Sequence, residues 1–140
     1  MQVVMTEAEL GAFLAREFPQ VAEDFVVERL TAEGVVVRLR VAERHLRPGG
    51  TVSGPNIFAL ADVAVYLALL ARIGPVALAV TTNAGIDFLR KPEAGRDLIG
   101  EARLLKLGRV LAVGEVLVRS DGRAEPVARA NLTYSIPPAR

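Results

Sequence analysis

The feature that most constrains this chain is an apolar run, GPNIFALADVAVYLALLA at residues 54–71, which holds a single carboxylate, Asp62. Between Arg47 and Arg72 no other side chain is charged. Ser53 or Gly54 can cap a helix whose first turn contains Pro55, where a missing N–H matters least, and Gly74-Pro75 ends it after about five turns. A helix that is apolar nearly all round must be buried. Interrupted by Asp62, the run falls short of the roughly 20 apolar residues that a membrane span needs, so it reads as the core helix of a soluble protein. A carboxylate buried there without a partner costs several kcal/mol. Either the fold supplies a partner from elsewhere, or a site uses the charge.

The flanking segments must wrap this helix. TEAELGAFLAREF at 6–18 predicts a short amphipathic helix: Thr6 and Glu9 form a capping box, Leu10, Phe13, Leu14 and Phe18 recur at helical spacing, and Pro19 closes it. From DFVVERL through GVVVRLRV the period becomes two. Val35, Val37, Leu39 and Val41 alternate with Val36, Arg38 and Arg40, and TAEG at 31–34 turns one strand into the next. Beyond the long helix, LAVTTNAGIDFLR sets Val80, Thr82, Ala84, Ile86 and Phe88 against Thr81, Asn83, Gly85 and Asp87. LIGEARLLKL, GRVLAVGEVLV and VARANLTYSI then read as three more strands, with PEAGRD and SDGRAE as turns. The economical solution is an α+β fold in which an antiparallel sheet of about six strands curls around the long helix. Several strands are apolar on both sides, which predicts that the outer face is covered too, in a homo-oligomer.

The 140 residues show no break in composition, so a single domain over 1–140 is expected. The net charge of +1 and scattered basic residues argue against a nucleic-acid or anionic-membrane surface. Without cysteine there is no disulfide framework, thiolate nucleophile or Cys-ligated metal. The N-terminus lacks a basic segment followed by an apolar core and cleavage site, so cytoplasm is expected.

Chemistry could sit at the start of the long helix, where free N–H groups and the helix dipole favour negative charge and Gly49, Gly50, Ser53 and Gly54 let a ligand approach. An oxyanion would be stabilised there; alternatively RPGGTVSGP is only a turn and a cap. Asp62, two turns in, could be a general base or a nucleophile, or a structural carboxylate paired with an Arg from another strand or subunit. Thr81, Thr82 and Asn83 form a polar patch that could position water, or serve simply as strand formers. His45, the only histidine, reads as a surface loop residue, and one histidine makes a metal centre improbable. Arg90 and Lys91 could hold a phosphate or be solvated surface.

The segments GGTVSGPNIFALADVAVYLAL, VTTNAGIDFLRKP and LLKLGRVLAVGEV resemble the hotdog-fold acyl-CoA thioesterases of the 4-hydroxybenzoyl-CoA thioesterase superfamily, in particular the phenylacetate-degradation type. The resemblance runs from about Val35 to Ile136. It implies that the backbone N–H of Gly54 holds the thioester oxygen, that Asp62 is the base or nucleophile, and that Thr81, from the neighbouring subunit, helps place water. It also implies a dimer with shared active sites, tetramers of such dimers, and CoA only as part of the substrate, with no cofactor and no metal. Three positions depart from the pattern: Ser53 stands where a His is usual, Pro55 replaces a second Gly, and Arg47 replaces an Asn. Ser53 could still donate a hydrogen bond. Arg47, Asn56, Phe58, Tyr66 and Asn83 are the other expected substrate contacts, with Phe58 and Tyr66 as walls for a small or medium, or aryl, acyl group. Arg90, Lys91 and Arg109 would lie near the CoA phosphates. The resemblance thus implies an acyl-CoA thioesterase, and the alternative is a non-catalytic acyl or acyl-CoA binding protein on the same scaffold.

Overall fold

Thr6 accepts the Glu9 N–H and Glu9 returns a bond to the Thr6 N–H, and this capping box opens helix α1 (Glu7–Glu17), whose Leu10, Phe13 and Leu14 turn inward. Pro19 ends α1 but does not end helical structure. With φ preset and no N–H to satisfy, it starts a single further turn, α2 (Pro19–Ala22). The structure, a computed structural model, describes residues 1–138. Strands β1 (Phe25–Leu30) and β2 (Gly34–Leu39) follow, then a 3₁₀ turn (Glu43–His45), helix α3 (Gly54–Ile73), and strands β3 (Val80–Phe88), β4 (Leu98–Leu107), β5 (Leu111–Ser120) and β6 (Pro126–Ser135). The six strands form one antiparallel sheet in the order β1-β2-β4-β5-β6-β3.

The sheet curls around α3. Leu60, Ala61, Ala64, Val65 and the residues from Leu67 to Ala71 have no accessible surface. The helix is 20 residues long, bounded by the caps that the sequence predicts, and despite Asp62 it is apolar enough to cross a bilayer by length and composition, yet most of it is buried against the sheet. Close approach depends on glycine. A Cβ at Gly100 of β4 would sit 3.1 Å from Leu60 Cγ, and one at Gly114 of β5 would sit 2.9 Å from Val65 Cγ1. At its C-terminus Gly74 takes φ 94°, and its N–H bonds to Leu70 O.

Val35, Val37 and Leu39 point into this core, as the period of two predicted. Outside, apolar and charged residues interleave. Ion pairs Arg103–Glu115 (2.5 Å) and Arg119–Glu101 (3.5 Å) run between β4 and β5, with Leu117 beside them, 53% exposed. Val36 and Ile99 also face outward, yet they are buried among Glu28, Arg29, Arg38 and Arg119, whose aliphatic stems can cover them.

Two features of β3 matter for the site. It pairs only with β6, so its other side is an open edge, with Val80 54% and Phe88 55% exposed at its ends. The register with β6 shifts between Thr81 and Asn83, a bulge that leaves Thr82 without a partner. Strict alternation would place Thr81 opposite Ile86 and Phe88. The bulge puts Thr81, paired with inward-facing Tyr134, on the same face as Ala84, Ile86 and Phe88.

Candidate active site

Asp62 does have partners, and they are hydroxyls. The Thr81 hydroxyl donates to Asp62 Oδ1 at 2.6 Å and the Tyr134 hydroxyl donates to the same oxygen at 2.7 Å, lying 3.1 Å from the Asp62 backbone oxygen as well. No cation forms an ion pair with it among the described residues, so an arginine partner from another strand of the same chain is ruled out. Among the described residues no hydrogen bond engages Oδ2. Thr81 reaches Asp62 of its own chain, so this pairing does not need a neighbouring subunit.

Tyr134 had no polar role in the alternation that placed it inside. A signal for one exists: a buried tyrosine needs a partner for its hydroxyl, and α3 offers a single carboxylate. Burial first, and then the Asp62 charge, push the Tyr134 phenol far above its ordinary range, so it stays a neutral donor.

The carboxylate opens onto a cavity of about 330 Å³. Asp62, Thr81 and Tyr134 make its polar part, and Ala59, Val63, Tyr66, Ala79 and Val80 carry the wall onward toward Leu14, Phe18, Val21 and Phe25. Tyr66 therefore stands where the resemblance implied a wall. Its hydroxyl donates to Ala77 O at 3.0 Å, and burial together with the Glu17 charge pushes its pKa up to about 12. Phe58, the other expected wall residue, is half-buried against the core and does not line this cavity.

The start of α3 is built from its loop. Ser53 Oγ accepts the Asn56 N–H (3.4 Å) and Asn56 Nδ2 (2.7 Å), while the His45 carbonyl accepts the Ser53 N–H (2.9 Å) and Asn56 Nδ2 (3.3 Å). Ser53 and Asn56 are thus engaged in capping, and the Gly54 N–H leads the helix's free donors. A Cβ on Gly54 would come within 3.3 Å of the Phe88 ring, which covers it from the end of β3.

His45 corrects the sequence reading. It is 2% exposed, because the 3₁₀ turn tucks its ring inward. Nδ1 accepts the Ala42 N–H at 2.8 Å, and Nε2 lies 3.2 Å from Asp24 Oδ2, at ion-pair distance though off the line of a hydrogen bond. Its carbonyl and its ring both secure the loop that delivers Gly54.

The remaining candidates are dispersed. Gly54 and Asp62 are eight residues apart, about 12 Å along the helix axis, too far for one carbonyl to touch both within one chain. Arg47 and Asn83 are exposed. Arg90 donates to Pro126 O at 2.9 Å near the Phe88 end of β3, with exposed Lys91 beside it. Arg109 sits in the β4–β5 turn, where Leu111 and Val80 both pair with Ser135. The length of β3, about 30 Å, therefore separates Arg109 from Arg90 and Lys91, and they cannot form one phosphate site in a single chain. Among the described residues no three His, Asp or Glu side chains converge to hold a metal ion.

The curled six-stranded sheet around one long helix is the fold of the hotdog thioesterases, and comparison with known proteins agrees. The pattern of the thioesterase superfamily matches residues 49–127, and the chain belongs to that superfamily. A protein of Silicibacter sp. TM1040, described provisionally as a thioesterase, is 59% identical and superimposes with a TM-score of 0.93 over 99% of this chain and 96% of its own. A mutant form of the phenylacetic acid degradation protein PaaI from Thermus thermophilus is 30% identical, with a TM-score of 0.72 over 85% of this chain and 99% of its own. A provisionally assigned esterase of Pseudomonas aeruginosa is 32% identical over 103 residues, 74% of this chain and 75% of that protein.

Proposed function

We propose that the protein is an acyl-CoA thioesterase whose active sites are shared between two copies of the chain. The observation that carries this reading is the Asp62 carboxylate, held on one oxygen by Thr81 and Tyr134 and facing an apolar cavity with no cation beside it among the described residues. That arrangement leaves Oδ2 to take a proton from water, or to attack a carbonyl carbon directly. As a general base Asp62 takes one water proton while the water oxygen bonds to the carbonyl carbon and the C–S bond breaks. As a nucleophile Oδ2 itself bonds to that carbon as the C–S bond breaks, and water then cleaves the mixed anhydride, returning the carboxylate and freeing the acid. In both courses the thiolate leaves and is protonated. The negative charge that gathers on the carbonyl oxygen needs a donor already in place, and the Gly54 N–H at the helix start is suited to it.

One chain cannot bring both groups to one carbonyl, but two can. Antiparallel pairing of the open β3 edges about a two-fold axis reverses their ends. It sets the Gly54 and Phe88 end of one chain beside the Asp62 and Val80 end of the other. The same operation brings Arg90 and Lys91 of one chain toward Arg109 of the other, which restores a basic group for the CoA phosphates. Leu105 and Leu117 on the outer face offer apolar ground for a tetramer of two such dimers.

The test is free-thiol release from short, medium, long and aryl acyl-CoAs, comparing the native protein with Asp62→Asn. The Asn side-chain oxygen can still accept from Thr81 and Tyr134, so the variant should fold. A fall of about 100-fold or more in turnover is expected. Native protein that binds these thioesters and releases no thiol would make this a binding protein instead.

A further inference from the structure

We propose that Phe18, at the joint between α1 and α2, closes the acyl pocket and sets the length of the uncharged, apolar acyl chain that the protein accepts. The inference rests on reading Asp62 as the end where the thioester carbonyl lies. The cavity is polar at that end only. From Tyr134, beside Asp62, the ring of Tyr66 is 5.9 Å away, and from Tyr66 the ring of Phe18 is a further 5.7 Å, edge-on at 88°. Tyr66 is four residues beyond Asp62 and so lies on the same face of α3, one turn onward. A row of aromatic rings therefore leads from the carboxylate to Phe18, and a chain attached at the carbonyl would run along it.

At the end of the wall away from Asp62, Phe18 differs from its neighbours Leu14 and Phe25. Leu14 and Phe25 are buried, whereas Phe18 remains 41% exposed and lines the cavity at its rim. Its backbone is nevertheless fixed. The Phe18 N–H bonds to Leu14 O at 2.8 Å, and its carbonyl accepts from Val21 (3.1 Å) and Ala22 (3.0 Å), so one residue ends α1 and starts α2. The segment is held to the core through buried Leu10, Phe13 and Leu14, and the Val4 N–H bonds to Ala71 O at 2.7 Å. The ring can thus be exchanged without removing what holds the segment.

The wall also limits acyl chemistry. The Tyr66 hydroxyl is turned to Ala77 O, so an acyl chain bearing a second carboxylate would bury that charge without a partner and near Asp62.

The experiment measures kcat/KM by thiol release over saturated acyl-CoAs from acetyl to hexadecanoyl, with succinyl-CoA alongside, for the native protein, Phe18→Ala and Phe18→Trp. While the chain is being buried, each added methylene should raise kcat/KM about fourfold, and in the native protein that gain should stop at one length. Phe18→Ala should move the stopping point to longer chains and Phe18→Trp to shorter ones, with succinyl-CoA poor throughout. The same stopping point in all three proteins, with turnover present, would overturn the role of Phe18 and leave the hydrolase reading intact. If no protein releases thiol, the hydrolase reading fails. The same series read as Kd by calorimetry then decides the inference: opposite shifts in the two variants support it, and unchanged profiles overturn it.

Discussion

At one edge of the sheet β1 is finished by the chain's own parts, while at the other β3 is left bare. The β1 edge is short and bulged between Val27 and Arg29; Glu7 of α1 accepts the Leu30 N–H at 3.2 Å, and Glu28 pairs with Arg38. Its hairpin turn is tied down from below, where the buried Arg72 guanidinium donates to Thr31 O (2.7 Å) and Gly34 O (2.9 Å). The β3 edge has no such cover. Its one ion pair among the described residues, Asp87–Arg129, points back to β6, and both of its exposed ends are apolar. Edges are usually blunted because they invite pairing. The chain closes one edge with a helix, a carboxylate and a buried arginine and leaves the other open beside Asp62, which is the contrast that the proposed pairing at β3 rests on.

The largest effect should come from closing that open edge with charge. Gly85 lies near the middle of β3, and a side chain there meets nothing within 4 Å in the isolated chain, so Gly85→Lys should fold. Two lysines facing each other across the axis should leave monomers in light scattering. Because Gly54 of one chain would then no longer face Asp62 of another, thiol release should fall about 100-fold or more, the scale of one lost oxyanion donor. A dimer that persists in this variant would place the interface elsewhere.

A smaller effect is expected just inside the open edge. Tyr134→Phe keeps the ring but removes one of two donors to Asp62 Oδ1, so kcat should drop about tenfold, with the chain-length profile unmoved. An unchanged kcat would leave Thr81 as the donor that matters.

The closed edge should answer in stability alone. Arg72→Met keeps apolar packing but strips the turn carbonyls of their donor, for a loss of about 1–3 kcal/mol in urea unfolding. Dimer mass and thiol release at room temperature should stay as they were. Dissociation of this variant would show that the two edges are coupled, contrary to the division drawn above.

Much of this architecture was legible in the sequence because its causes are local. Thr6 and Glu9 announce a helix start, Gly74-Pro75 a helix end, and the alternation of Val35, Val37 and Leu39 a strand with one buried face. Pro19 was legible only in part, since the rule that it ends a helix says nothing about its starting another. The site was harder to read. Asp62 stood out through its isolation, Gly54 through the small residues at the helix start and Thr81 through its polar patch, and the resemblance implied a role for each, whereas periodicity alone would have turned Thr81 to the wrong face.

The sequence by itself determined the order of elements, the burial of the long helix and the single carboxylate within it, since hydrophobic period and capping depend on neighbours a few residues away. Only the tertiary structure decided what that carboxylate meets. Its partner Tyr134 lies 72 residues farther on, Thr81 turns toward it because of a bulge in the pairing with β6, and His45 is drawn inward against Asp24. Phe18 reaches the same cavity from the opposite end of the chain. Such contacts depend on which strands pair and in what register, and no local pattern carries that information.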